Sequence, residues 1–315
     1  MTTFPISDLK TIVCLMGPTA SGKTDFAIEL VNQGLFEIIS VDSAMVYKGM
    51  DIGTAKPEPT LLDAIPHRLI DICEPYETYS VAQFRVDAQK AIEEILAKGK
   101  IPLLVGGTML YFKALQEGLS TLPAADSAIR AELSLIAAQQ GWQSLYERLE
   151  KIDPSAAQKI HPNDPQRLQR ALEIYYITGK TMTQLLMENK KNVLPYQYIN
   201  LILFPTDRIL LREKIAQRFK QMLKKGFIDE VEMLKNEPRL TMDNPSMKSV
   251  GYRQAWLYLE EQLTYAEMEE KSITATHQLA KRQLTWARTW PNALLFEYHE
   301  RNPIIDLLKK QYPFF

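Results

Sequence analysis

The feature that most constrains this chain is residues 17–24, whose letters GPTASGKT fit the phosphate-loop pattern G-x-x-x-x-G-K-[ST] at every fixed position. The apolar run TIVCLM precedes the loop at residues 11–16, and DFAIELV follows it at residues 25–31 with apolar side chains at helical spacing. This order of strand, glycine loop and helix lets the loop N–H groups and the positive end of the helix dipole face one anion. The sequence therefore predicts a binding site for a diphosphate or triphosphate.

Within this loop, several residues can present a backbone N–H group or a side chain to phosphate oxygens. The diphosphate-binding candidates are Gly17, Thr19, Ala20, Ser21, Gly22, Lys23 and Thr24. Lys23 supplies a mobile cation, and the Thr24 hydroxyl is the candidate ligand for Mg²⁺, which is the cofactor we expect. Because the loop contacts only phosphate oxygens, it does not distinguish ATP from another diphosphate.

The first third of the chain alternates between strand and helix patterns. Strand-like runs occupy residues 36–41, 68–73 and 101–105, and a helix is predicted for residues 81–97. Such alternation is typical of the α/β class, here a phosphate-loop type of parallel sheet flanked by helices. Ligands of these sheets bind beyond the carboxyl ends of the strands, so we expect the loop, Asp42 and residues 106–108 to converge at one edge.

The pattern changes after residue 122. Only helical patterns follow as far as residue 194, and the apolar residues 199–204 then predict a return to the sheet. We therefore predict an all-helical insertion domain at residues 123–197. The core would comprise residues 1–122 and 198–315, and it would end in helices.

Composition excludes several classes of protein. No apolar run approaches the roughly 18 residues that span a bilayer, and the N-terminus lacks the form of a signal peptide. Cys14 and Cys73 are the only cysteines, and Cys14 lies in a predicted buried strand, so a disulfide framework is not expected. These features predict a cytoplasmic protein without a membrane partner. The net charge of −1 argues against bulk electrostatic binding of nucleic acid but leaves room for a local basic surface.

Asp42 ends a predicted buried strand, and three interpretations of it remain open from physical chemistry alone. It could hold Mg²⁺, act as a general base beside the phosphate site, or cap the turn that follows. The stretch from residue 43 to residue 57 has two glycines, a proline and no regular period. A long loop of this kind beside a phosphate site favours a substrate-contacting role over simple surface packing.

Two basic stretches lie on predicted helices. Residues 166–170 read QRLQR, with Arg167 and Arg170 on one helix face, and residues 281–288 read KRQLTWAR. Bases near the end of a long helix also suit its dipole, so this arrangement does not by itself require a ligand. The alternative is a surface that contacts RNA phosphates.

Five segments in order along residues 16–288 resemble the family of bacterial tRNA dimethylallyltransferases. They read MGPTASGKT, ISVDSAMVYKGMDIGTAKP, LLVGGTMLY, HPNDPQRLQRALE and AKRQLTWAR. The resemblance implies transfer of a dimethylallyl group from dimethylallyl diphosphate to the exocyclic amine of the adenosine 3′ of the tRNA anticodon, with release of diphosphate and use of Mg²⁺. It also implies that the insertion grips the anticodon stem-loop; we expect a monomer.

The resemblance also assigns roles to individual residues. Asp42 would be the general base, with Lys23 and Thr108 as further catalytic residues. The implied tRNA-contacting residues are Asp42, Ser43, Ala44, Met45, Thr108, Arg130, Gln166, Arg167, Leu168, Gln169, Arg170, Gly251, Tyr252, Arg253, Lys281, Arg282, Gln283, Leu284, Thr285, Trp286, Ala287 and Arg288.

Other function classes share part of this pattern. A small-molecule kinase would explain the phosphate loop and a metal-binding Asp42, but not the stretch 43–57 or the basic aromatic helix near the C-terminus. A prenyltransferase of free adenine nucleotides would share the core without needing two basic helices. An RNA-binding module without catalysis would leave a complete phosphate loop idle.

Overall fold

The computed structural model describes residues 10–188 and 192–312. The chain divides into two compact units, one of residues 1–116 with 195–315 and one of residues 117–194. The helical unit thus begins before the predicted residue 123 and ends before residue 197. Its end differs because Tyr196 and Gln197 already pair with Lys10 and Thr11 in the sheet.

Within the described residues, six strands form one all-parallel sheet in the order β3-β2-β4-β1-β5-β6. They are β1 Lys10–Met16, β2 Phe36–Val41, β3 His67–Arg68, β4 Ile101–Gly106, β5 Tyr196–Leu203 and β6 Ala293–Phe296. The predicted α/β class is confirmed. The strand predicted for residues 68–73 is wrong beyond Arg68, because Leu69 and Asp71 have φ of +65° and +56°, which interrupts an extended chain.

The helices include one at residues 81–97, which confirms the predicted helix there. They are α1 Lys23–Val31, α2 Pro59–Ala64, α3 Val81–Ala97, α4 Met109–Glu117, α5 Ser127–Ile152, α6 Pro154–Ala157, α7 Pro165–Thr178, α8 Met182–Glu188, α9 Arg208–Lys224, α10 Phe227–Lys235, α11 Tyr252–Leu259, α12 Tyr265–Arg288 and α13 Arg301–Gln311. Within the described residues, no helix is both long and apolar enough to cross a membrane.

The sheet-containing unit has more than one apolar core. In one, Val13, Leu15 and Phe26 pack with Ile304 of α13. A second core lies under the stretch that follows β2: Val46, Tyr47 and Met50 are buried against residues of α9 to α12. Residues 43–57 are therefore a packed structural segment on their inner side, and their conformation is set by tertiary contacts.

The helical unit is organised around α5 and α7. Helix α5 is interrupted at Gly141, where φ is +79°, so this segment consists of two helices that meet at a kink. Asp164 caps α7 by accepting a hydrogen bond from the Arg167 N–H at 3.1 Å, and Gly179 ends that helix at a φ of +70°. Buried leucines from both helices fill the space between them.

Candidate active site at the carboxyl edge of the sheet

The phosphate loop leaves β1 at its carboxyl end and enters α1. A Cβ atom at Gly17 would lie 2.6 Å from the Leu203 carbonyl oxygen, so only glycine allows the loop to pass this close to β5. Gly22 immediately precedes α1 with a φ of +80°. The first turn of α1 therefore presents its free N–H groups towards the loop, which is the geometry of an anion site.

Lys23 bends back over this loop. Its Nζ donates hydrogen bonds to the Pro18 carbonyl oxygen at 2.6 Å and to Ser21 Oγ at 3.3 Å. Burial, followed by the positive charge of Arg218, lowers the pKa of Lys23 to about 7, and the negative charge of Asp42 opposes that shift. The ammonium group therefore occupies an electropositive, partly desolvated position in which a bound anion would restore its full charge.

Arg218 of α9 is the functional candidate that sequence reasoning missed. It is half-buried, and burial lowers the pKa of its guanidinium while the charge of Asp42 raises it. Among the described residues it forms no hydrogen bond or ion pair. The sequence contained a signal for it, because Arg218 follows the buried residues Leu211 and Ile215 of α9 at helical spacing. A cation on the buried side of a helix is costly unless it has a partner or a ligand.

Asp42 and Thr108 lie together at the ends of β2 and β4. Asp42 Oδ1 accepts hydrogen bonds from the Ala44 N–H at 2.8 Å and the Met45 N–H at 3.2 Å, so Asp42 does cap the following turn. Thr108 Oγ1 accepts from the Ser43 N–H at 3.0 Å and lies 3.3 Å from Ser43 Oγ. The second carboxylate oxygen, Asp42 Oδ2, has no hydrogen-bond partner within the described residues and can accept a proton from a ligand.

Gln283 connects both glycine loops to α12. Its Oε1 accepts a hydrogen bond from the Thr19 N–H at 2.9 Å, and its Nε2 donates to the Gly107 carbonyl oxygen at 3.0 Å. A Cβ atom at Gly107 would overlap this amide, which explains the glycine there. The Gln283 side chain thus holds the two loops together, and only 9% of this residue is exposed.

The other residues of 281–288 divide between surface and core. Leu284 and Ala287 are buried, whereas Lys281, Arg282, Thr285 and Arg288 are exposed and Trp286 is half-buried. None of the three cations forms an ion pair within residues 10–188 and 192–312. We therefore remove Gln283, Leu284 and Ala287 from the candidate RNA surface, because a helix turns every third or fourth side chain inward.

The segment 251–253 contributes little surface. Gly251 and Tyr252 are buried, and the Tyr252 hydroxyl donates a hydrogen bond to Glu230 at 2.6 Å. Only Arg253 is exposed. Tyr252 is therefore a core residue, and Arg253 alone remains a candidate for side-chain contact with RNA.

Two of the candidate RNA-contacting residues of the helical unit are paired with one buried acid, Glu173. Arg130 Nε donates to Glu173 at 2.7 Å, and Arg170 Nη1 donates to it at 2.6 Å. Gln169 donates hydrogen bonds to the Arg130 carbonyl oxygen and to Ser134, both at 3.0 Å.

In the 166–170 segment, Gln166 and Arg167 face solvent, whereas Leu168 does not. Leu168 is fully buried between the helices of this unit, so it also leaves the candidate surface. Gln166 and Arg167 are exposed, and Arg167 forms only a 3.3 Å ion pair with Asp164. Arg167 is therefore the basic residue of this segment that is most available to a ligand.

The oxygen atoms at this edge of the sheet could hold a metal ion only together with oxygen atoms of a bound substrate. Within the described residues, no group of three or more His, Cys, Asp or Glu side chains could hold a metal. The Thr24 hydroxyl makes no hydrogen bond to the described residues. Because Mg²⁺ usually retains water molecules and is held partly by substrate phosphates, this oxygen suits an Mg²⁺ ion bound together with a diphosphate.

Comparisons with known proteins identify one family over most of this chain. The model of the family described as IPP transferase matches residues 45–290, a span that begins after the phosphate loop and Asp42. The structure of a tRNA isopentenylpyrophosphate transferase from Bacillus halodurans is 36% identical, covers 98% of this chain and 97% of that chain, and has a TM-score of 0.70.

Two other solved structures are similar over most of this chain. A tRNA delta(2)-isopentenylpyrophosphate transferase from Staphylococcus epidermidis is 30% identical, with 96% of this chain and 99% of that chain covered and a TM-score of 0.68. A eukaryotic dimethylallyltransferase acting on tRNA is 28% identical, with 96% and 77% covered and a TM-score of 0.76.

Proposed function

Because the chain belongs to the IPP transferase family and is a prenyltransferase, we propose that it transfers a dimethylallyl group from dimethylallyl diphosphate to the exocyclic amine of the adenosine 3′ of the anticodon in tRNA. Relatives named for tRNA as substrate support this acceptor. The observation that carries the proposal is that the phosphate loop, Asp42 and Thr108 meet at the carboxyl ends of β1, β2 and β4, where Gln283 bridges the two glycine loops.

The leaving group is diphosphate, on which negative charge grows as the allylic C–O bond breaks. The loop N–H groups and the Lys23 ammonium stabilise that charge, and Arg218 adds a second cation from α9. We propose that Thr24 helps to hold Mg²⁺ with the diphosphate; when bound, the ion supplies further charge neutralisation. The positive charges of Lys23 and Arg218 also offset the repulsion between an anionic substrate and the Asp42 carboxylate.

The nucleophile is an adenine amine, whose lone pair is delocalised into the ring. The amine must therefore lose a proton as the C–N bond forms. Asp42 Oδ2 is available to accept it, while Oδ1 stays fixed by the N–H groups of Ala44 and Met45. The Thr108 hydroxyl contacts the N–H and the hydroxyl of Ser43, the residue that follows Asp42, and would help to orient the base.

A base stacked in a tRNA loop cannot reach such a site, so the adenosine must be flipped out of its stack. The affinity for the rest of the tRNA would come from exposed cations without acidic partners, namely Lys281, Arg282 and Arg288 of α12. Arg167 of α7 adds a cation from the helical unit. Exposed cations of this kind on each unit are compatible with a net charge of −1.

The direct test is transfer of a labelled allyl group. The protein and Mg²⁺ are incubated with dimethylallyl diphosphate labelled in its allyl group and with unmodified tRNA that carries adenosine 3′ of the anticodon. A matched tRNA in which this adenosine is replaced by guanosine is the control. Label in the first RNA alone is the expected result.

Other outcomes would contradict the proposal in different ways. Label in free adenine nucleotides but not in tRNA would favour the nucleotide-prenylating alternative. Equal label in both RNAs would contradict the position of the acceptor. Absence of transfer together with ATP-dependent phosphorylation of a small molecule would favour a kinase.

A further inference from the structure

A buried carboxylate outside the candidate active site has an unusual set of partners. Glu230 of α10 is only 5% exposed. Its Oε2 accepts hydrogen bonds from the N–H groups of Asp51 at 2.9 Å and Ile52 at 2.6 Å. Its Oε1 accepts from the Gly53 N–H at 3.1 Å and from the Tyr252 hydroxyl at 2.6 Å. Four donors thus converge on one side chain.

The chemistry of these donors requires an acceptor-only side chain. Three successive N–H groups form a concave anion site, which here is filled by the protein's own carboxylate. No Lys or Arg within the described residues forms an ion pair with Glu230, so the N–H groups and the phenol stabilise its charge. An amide in place of the carboxylate would direct an NH₂ group towards N–H or O–H donors.

The turn held by Glu230 is connected by hydrogen bonds to the segment that follows Asp42. The Thr54 hydroxyl donates to the Met50 carbonyl oxygen at 2.7 Å, and Lys56 Nζ donates to the Tyr47 carbonyl oxygen at 3.0 Å. Residues 46–50 are thereby fixed from the side of Glu230. Their N-terminal neighbours, Ala44 and Met45, donate the two hydrogen bonds that orient the Asp42 carboxylate.

We propose that Glu230 is a positioning residue for the prenyl transfer, holding residues 51–53 so that the turn after β2 keeps the Asp42 carboxylate aimed at the acceptor amine. The proposal rests on the function proposed above for Asp42. Glu230 itself contacts no reacting atom; its effect passes through the loop. Because a misplacement of about 1 Å in a reacting group can lower a rate about a hundredfold, a secure anchor for this loop has a catalytic consequence.

The test compares two Glu→Gln substitutions on the same helix. Glu230→Gln removes the anchor, while Glu232→Gln makes the same chemical change at an exposed position of α10. We expect Glu230→Gln to lower kcat by about tenfold or more, with the KM for dimethylallyl diphosphate within about twofold of the wild-type value. Glu232→Gln should match the wild type in both parameters.

Amide hydrogen exchange of peptides from residues 42–57 provides the readout that links the two sites. In Glu230→Gln we expect faster exchange at residues 51–53 and also at residues 44–45, whereas Glu232→Gln should leave both unchanged. Tyr252→Phe removes one of the four donors and keeps the buried ring, so it should give smaller changes in the same direction. This milder variant keeps the test valid if Glu230→Gln does not fold.

Three results would overturn the proposal. One is unchanged kcat in both Glu230→Gln and Tyr252→Phe, and another is a raised KM for dimethylallyl diphosphate at constant kcat. The third is faster exchange at residues 51–53 without any change at residues 44–45. Failure of the wild-type protein to prenylate tRNA would instead contradict the proposed function. In that case the exchange data would still show whether the Glu230 anchor affects residues 44–45.

Discussion

The carboxyl edge of the sheet and the basic helical segments differ in how their candidate residues are placed. At the edge, Lys23, Asp42 and Thr108 all lie beside the phosphate loop or the strand ends next to it. On α7 and α12, neighbouring candidates such as Leu168 and Leu284 are buried. The difference arises because a phosphate loop works through its backbone, whereas a helix turns successive side chains to different sides. A contiguous helical segment therefore includes residues that support the surface and residues that form it.

The largest effect should come from the edge of the sheet. Asp42→Ala removes the proposed proton acceptor, and we expect kcat to fall by about 10²–10⁴-fold with little change in the Kd for tRNA. Asp63→Ala, at an exposed position of α2, is the control. Rates come from single-turnover label transfer and affinities from filter binding. A turnover close to the wild-type value would exclude Asp42 as the general base.

The next largest effect should come from Lys23. Lys23→Ala removes a charge-assisted contact to phosphate, so the Kd for dimethylallyl diphosphate should rise by about tenfold to a hundredfold and kcat should fall as well. Titration calorimetry measures the affinity, with Lys90→Ala, exposed on α3, as the control. Unchanged affinity would mean that the diphosphate binds elsewhere.

Lys23 also predicts a pH dependence of diphosphate affinity. Burial and the charge of Arg218 lower the pKa of Lys23 to about 7. The ammonium form is therefore complete below about pH 6 and is lost as the pH rises through about 7, so affinity should weaken with rising pH above 7. In the Lys23→Ala variant, any remaining pH dependence of the affinity comes from titration of the ligand, so this variant is the control. Identical pH profiles for both proteins would contradict a role of Lys23 in this dependence.

A smaller effect is expected from the exposed cations of the helices. Arg167→Ala combined with Arg282→Ala should weaken tRNA binding and flatten its salt dependence by about one unit per lost phosphate contact. The control is Lys309→Ala with Lys310→Ala, which removes two exposed charges from α13. If the control variant loses as much tRNA affinity, the weaker binding is explained by the change in net charge and not by lost contacts of Arg167 and Arg282.

The smallest effect on function should come from a buried member of the same segment. Leu168→Ala leaves a cavity in the helical unit, so we expect the free energy of unfolding to fall by about 2–5 kcal/mol. The Kd for tRNA, measured well below the unfolding transition, should stay unchanged. A specific loss of tRNA affinity without loss of stability would return Leu168 to the RNA surface and weaken the comparison of the two regions.

Much of this architecture could be predicted from local patterns. The helix at residues 81–97 and the strand at residues 36–41 were predicted with their observed bounds, because a strong apolar period and turn residues define them. The strand predicted for residues 68–73 failed at Leu69 and Asp71, which have positive φ, and the N–H groups of Asp71 and Ile72 donate instead to carbonyl oxygens of the segment after β2. Apolar composition alone could not reveal that bend.

The phosphate loop, the α/β class and the position of Asp42 at a strand end could be predicted from local patterns, because each depends on residues that are neighbours along the chain. Three other features depend on the folded chain: the charge of Asp42 raises the pKa of Arg218, Gln283 joins the two glycine loops, and Glu230 anchors residues 51–53. These contacts join residues distant in sequence, and their energies arise from burial and donor geometry that no local pattern encodes.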